Sequence, residues 1–142
     1  MIAIAMMGML ASYAIPALRN SVNTGRARAV AQRFQQDFAW LRGQATTGSH
    51  IITLTVNSDC SWTAVEDNSA VNAHSFTTAQ LATAAPGIGC SLGTGSLPLS
   101  FTFDNQGFVG NAAALTFSAS SGQTFPLQIL GSGTLVRING AS

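Results

Sequence analysis

Apolar and polar positions divide the chain into a helical half and a strand-and-turn half. Residues 1–18 (MIAIAMMGMLASYAIPAL) are apolar and carry no charge. Beyond Pro16, the apolar residues Ala27, Val30, Ala31, Phe34, Phe38, Leu41 and Ala45 recur at helical spacing and make one stripe. No strong breaker comes before Gly43 and Gly48, so one helix is predicted from near residue 1 to about residue 46. At 1.5 Å per residue it is roughly 65–70 Å long, more than the diameter of a domain of this size. Its first half must therefore protrude, while Phe34, Phe38 and Leu41 pack its second half on a sheet. Pro16 is expected to kink it, and Gly25 is a second soft point.

The rest reads as strand and turn. His50–Val56 (HIITLTV) is β-branched and alternating, and Trp62–Val65 is a short strand candidate. Residues 57–98 otherwise read as irregular, rich in Ala, Thr, Ser and Gly, with Pro86 and Pro98 as breakers. From residue 99 the alternation is regular. Leu99–Phe103, Ala114–Ser118, Phe125–Leu130 and Thr134–Ile138 are separated by Gly-bearing turns. That pattern predicts an antiparallel sheet over about 99–138. The fold class is α+β, a long amino-terminal helix packed on a carboxy-terminal antiparallel sheet. Residues 1–24 form the apolar half of the helix, and 25–142 form the globular domain.

Composition sharpens this division. The 142 residues are 46% hydrophobic and only 8% charged, against about 25% charged in ordinary domains. A charge-rich disordered chain is excluded. So is a polytopic membrane protein, because only one segment is apolar enough to span. All six basic residues are arginine, too few to blanket a duplex. Arg19, Arg26, Arg28, Arg33 and Arg42 cluster with only Asp37 opposing them, so the first 42 residues carry a net +4. Asp59, Glu66, Asp67 and Asp104 against Arg137 leave the remaining 100 at −3. Arg33 and Asp37 stand four apart, a helix pair worth a few tenths of a kcal/mol.

An 18-residue helix spans roughly 27 Å, close to the 30 Å of bilayer hydrocarbon. A membrane anchor with arginines just outside fits residues 1–18 best, with a buried core helix as the alternative. A cleaved signal would want its positive charge before the apolar run. Flanking arginines favour the cytoplasmic side. Cys60 and Cys90 pull the other way: they flank the irregular segment, where a disulfide could add roughly 2–4 kcal/mol in an oxidising compartment. Two unpaired buried thiols are the alternative. A metal site is poorly supported, with no CxxC spacing and two distant histidines, His50 and His74. No cofactor is expected.

The uncharged run ending in Ile15-Pro16, with a long helix beyond, resembles type IV pilins and type II secretion pseudopilins. FDNQG (Phe103–Gly107) before further strands resembles the GspH/FimT branch of minor pilins and pseudopilins, as does Ala39–Ala45 at the helix end. The family's Gly-Phe-Thr-Leu-Ile-Glu-Leu opening is missing, as though the sequence began about six residues inside the mature chain. Some FimT-like members carry a Gly-Arg-x-Arg motif associated with DNA binding. Gly133 to Arg137 keeps its glycine and one arginine but lacks the first arginine. The resemblance also implies a topology with the leader in the cytoplasm and the domain in the periplasm, which removes the conflict with the cysteines.

Three functions follow from these readings. The first is a structural subunit of a type IV pilus or type II secretion pseudopilus. It would pass from the inner membrane into a filament with other pilin or pseudopilin subunits. Its helix would pack through Ile2, Ile4, Gly8, Leu10, Ser12, Ile15 and Pro16, with Gly8 and Ser12 allowing close approach. The second is a binding module in which Arg19, Arg26, Arg28, Arg33 and Arg137 contact DNA phosphates, as a FimT-like minor pilin would in DNA uptake, or anionic lipid. The third, an enzyme, finds no GxSxG elbow or other catalytic set. His50, His74 and the Glu66-Asp67 pair read as structural or loop residues, and Trp40 and Trp62 as packing residues.

Overall fold

A computed structural model describes the backbone of residues 2–139, and the side chains from Ile15 to Asn139. Helix α1 runs unbroken over Ile2–Gly48, through Pro16 and Gly25. Every member of the apolar stripe, from Ala27 to Ala45, is buried. Near the end of α1 the Thr46 and Thr47 hydroxyls donate back to the Gly43 carbonyl at 2.8 and 2.6 Å, and Ser49 takes a left-handed conformation that turns the chain.

The strands are β1 (Ile52–Val56), β2 (Trp62–Glu66), β3 (Ser69–Ala70), β4 (Gly89–Leu92), β5 (Leu99–Phe103), β6 (Ala113–Ser118), β7 (Thr124–Ile129) and β8 (Leu135–Arg137). They form two four-stranded antiparallel sheets, ordered β3-β2-β1-β5 and β4-β6-β7-β8. This corrects the single sheet expected over 99–138. The strand at Leu99–Phe103 leaves its successors and pairs with β1, setting Leu54 opposite Phe101.

The alternation read in each strand is kept. Ile52, Leu54 and Val56 face inward, as do Phe125, Leu127 and Ile129. Helix α1 covers both inner faces. Phe34 meets Trp62 of the first sheet at 5.3 Å and Phe117 of the second at 5.6 Å, ring centre to ring centre. Phe38 lies 4.9 Å from Phe103.

Residues 57–98, expected to be irregular, carry β2, β3, β4, a single 3-10 turn at Asn72–His74 and helix α2 (Thr78–Ala84). Helix α2 buries only Leu81 among its seven residues, so it has no apolar stripe to read. It is fixed by a capping box: Thr77 accepts from the Gln80 amide, and the Gln80 side chain accepts from the Thr77 amide at 2.9 Å. The Cys60–Cys90 disulfide, with Cα atoms 5.6 Å apart, ties the start of β2 to β4 and so joins the two sheets.

Candidate functional site

The feature that sets this molecule apart from a closed α+β domain is a part of α1 that no described residue covers. Residues 15–22 are all exposed, and burial begins in earnest at Ala27. Ile15 (54% exposed), Leu18 (68%) and Val22 (44%) stand at helical spacings of three and four. They therefore share one side of the arm, an apolar stripe on which none of the described residues packs. Pro16 is exposed beside them. Ile2, Ile4, Gly8, Leu10 and Ser12, expected to pack the same helix, lie outside the residues whose side chains are described. Among the described residues no helix is long and apolar enough to cross a membrane.

The five arginines singled out for anion contact are scattered by the fold. Arg19 and Arg26 are exposed on the arm. Arg33 is engaged: its Nε donates to both oxygens of Asp37 at 3.2 and 3.0 Å, and its terminal nitrogen donates to the Ala73 carbonyl at 2.9 Å. Arg28 and Arg137 are brought together from 109 positions apart in sequence. Each guanidinium carbon lies 5.8 Å from the centre of the buried Phe125 ring. Among the described residues neither has a carboxylate within ion-pair distance.

Asp37 is more than half of a surface helix pair. It is only 2% exposed. Besides Arg33, its Oδ2 accepts from Trp62 Nε1 at 3.1 Å, and its Oδ1 from His74 Nδ1 at 2.9 Å. Trp40 stacks on His74 with ring centres 3.8 Å apart. The signal for this depth is the place of Asp37 within the apolar stripe, since it follows Phe34 by three and precedes Leu41 by four. The cluster clasps the 72–74 turn to α1.

His50 is similarly structural. Its Nδ1 lies 2.5 Å from Asp67 Oδ2 and its Nε2 3.6 Å from Glu66. The hydrogen bond to Asp67 raises the His50 pKa above 6.5, and the same bond lowers that of Asp67 below 3.8. Among the described residues no group of three or more His, Cys, Asp or Glu side chains is placed to hold a metal.

FDNQG and the glycine before Arg137 also acquire a physical meaning. Asp104 Oδ1 accepts from the amides of Gln106 and Phe108, both at 2.9 Å, closing a tight loop. That loop lies against α1 and against the Gly131–Gly133 turn, with the Val109 amide donating to the Gly131 carbonyl at 3.0 Å. Gly133 has φ +76°, and a Cβ there would collide with the Gly107 carbonyl. These loops rest on Arg42 near the end of α1.

A free apolar arm on a domain whose diagnostic loops lock onto its helix is the arrangement to compare with known families. The family model for type II transport protein GspH matches residues 30–141. The chain belongs to the GspH family. Membership makes it a pseudopilin-type component of type II secretion, a class that works in association with other pseudopilins. Comparison with characterised proteins and with solved structures finds no match.

Proposed function

We propose that this GspH-family chain is a filament subunit that assembles through the amino-terminal arm of α1. Residues 1–18 first sit in the inner membrane, with the domain in the periplasm. They then pack among like helices in a type II secretion pseudopilus or type IV pilus. The observation that supports this reading is the exposed stripe of Ile15, Leu18 and Val22. Three large apolar side chains at helical spacing are worth roughly 1.5–3 kcal/mol each once buried, so a helix partner for the arm would be favoured. Membrane and fibre core are both apolar, and moving between them need not expose the run to water.

The test is incorporation into fibres. Full-length chain carrying Leu18→Gln and Val22→Gln is expressed with its secretion system, and fibres are sheared and collected. The variant is expected to remain in the membrane while the wild type enters the fibre fraction. Equal incorporation would overturn the proposal. A FimT-like DNA-binding role draws support from Arg28 and Arg137 alone. Two phosphate contacts would give a log–log salt slope of only about −1.8.

A further inference from the structure

Arg28 and Arg137 lie toward one end of the domain and Glu66, Asp67 and Asp104 toward the other, while Asp59 is engaged by the Ser61 and Thr78 hydroxyls, and this suggests how one subunit meets the next. At the arm end, Arg28 and Arg137 lean on the same phenyl ring. Arg28, Phe125 and Arg137 line one small pocket with each guanidinium against the ring, so an arriving anion meets side chains already held and loses little side-chain freedom on binding. At the other end, where α1 stops at Gly48, His50 bonds the Asp67 of the β2–β3 turn. Glu66, Ile52 and Phe103 sit in register across three strands, which brings Asp104, the residue after Phe103, to the same end. Arg42 and His50 offset part of that negative charge, while the carboxy-terminal end of α1 adds its own partial negative charge. Arg28 and Gly48 are about 20 residues apart, roughly 30 Å along the helix.

We propose that a second copy docks its acidic end, Glu66 and Asp67 with Asp104, on the Arg28–Arg137 pair of its neighbour. The inference rests on the filament reading above and names a contact within it. The two patches differ, so the contact is heterologous: each copy offers a receptor at one end and a ligand at the other. Such contacts extend into a filament wherever the rotation between copies does not close a ring. Phospholipid is the poorer occupant. Arg28 stands about ten residues beyond Leu18, roughly 15 Å, whereas the headgroup layer on each side is only about 5–8 Å deep. Arg19 is the residue at headgroup depth. Duplex DNA would ask for a broader cationic surface than two arginines.

The test is sedimentation velocity of the full chain in nonionic detergent at about 20 and 300 mM NaCl, conditions that shorten the range of electrostatic attraction severalfold. Wild type is expected to self-associate at low salt and at least about tenfold more weakly at high salt. The Arg28→Glu/Arg137→Glu variant and the Glu66→Arg/Asp67→Arg variant should each stay monomeric at low salt, and an equimolar mixture of the two should associate. Circular dichroism checks folding, and Arg28→Gln/Arg137→Gln with Glu66→Gln gives milder variants expected to weaken association in the same direction. Charge-reversed variants that associate like wild type, or a mixture that does not recover, would overturn the contact. So would a duplex DNA probe that binds wild type but not Arg28→Glu/Arg137→Glu while self-association is unchanged. Loss of association in Leu18→Gln/Val22→Gln alone, with both charge variants intact, overturns this contact and leaves the filament proposal standing.

Discussion

Asp37 shows how much one buried carboxylate can organise. Its two oxygens receive Arg33, Trp62 and His74, from α1, β2 and the 72–74 turn. Asp37→Ala would strand these donors in or near the core, and we expect a loss of about 2–4 kcal/mol in urea unfolding. Arg33→Gln, at a side chain that is partly exposed, should cost less. Equal, small effects would show the cluster to be incidental. The pair of Arg33 and Asp37 is visible in sequence, but its depth is not. Periodicity marks position 37 as lying on the buried side, yet Trp62 and His74 reach it only through folding.

The His50–Asp67 pair makes a second prediction at this scale. His50 has its pKa raised in the folded state, so its stabilisation is full below pH 6.5 and is lost as pH rises through the folded value. Asp67 has its pKa lowered, so its contribution holds above pH 3.8 and is lost as pH falls through its folded value. The pair should contribute most between about pH 4 and 6.5. Between about pH 5.5 and 8.5 the urea midpoint should fall less in His50→Gln than in wild type. Identical falls would dismiss the pair.

Among the elements, α1 is the most legible in sequence. Its stripe, its extent and its outward reach follow from spacing alone, because a 3.6-residue period sustained over several turns is the mark of a helix buried along one side. The two sheets are not legible. Local alternation tells which residues face inward but not which strand lies beside which, so Leu99–Phe103 reads as the first strand of a meander when it closes the first sheet. Helix α2 escapes a reading by period because Ala and Thr dilute its pattern, although the Thr77 and Gln80 spacing marks its start. The disulfide is legible because two cysteines flank the stretch that reads as least regular in sequence. It closes a loop of 30 residues and should contribute about 3–4 kcal/mol. Cys60→Ser/Cys90→Ser should lose that much in urea titration. A loss near zero would mean the sheets hold together without it. At the element joint, Gly133→Ala should destabilise by about 1–3 kcal/mol, since φ +76° and the Gly107 carbonyl both oppose a side chain. A thermal melt that matches wild type would contradict this.

The whole molecule is a capped two-sheet domain on a rod that continues past it. Its low charge now has a structural form. On the outer face of the first sheet, Thr53 meets Thr102 at 3.3 Å and Thr55 meets Ser100 at 2.8 Å, a surface of hydroxyls in place of ions. Such a face can lie against copies of itself without repulsion, while the few unpaired charges are left to set direction. The family assignment covers residues 30–141, and on the proposal above the exposed arm is what the domain carries into an assembly.

The most direct test of that claim is photo-crosslinking from position 18 within assembled fibres. A benzophenone side chain replaces Leu18 in the full chain, and the products are mapped. Burial of the arm in a helical core predicts crosslinks to the amino-terminal helices of neighbouring subunits. No crosslinked product, or crosslinks confined to the outer faces of neighbouring sheets, would contradict assembly through the arm.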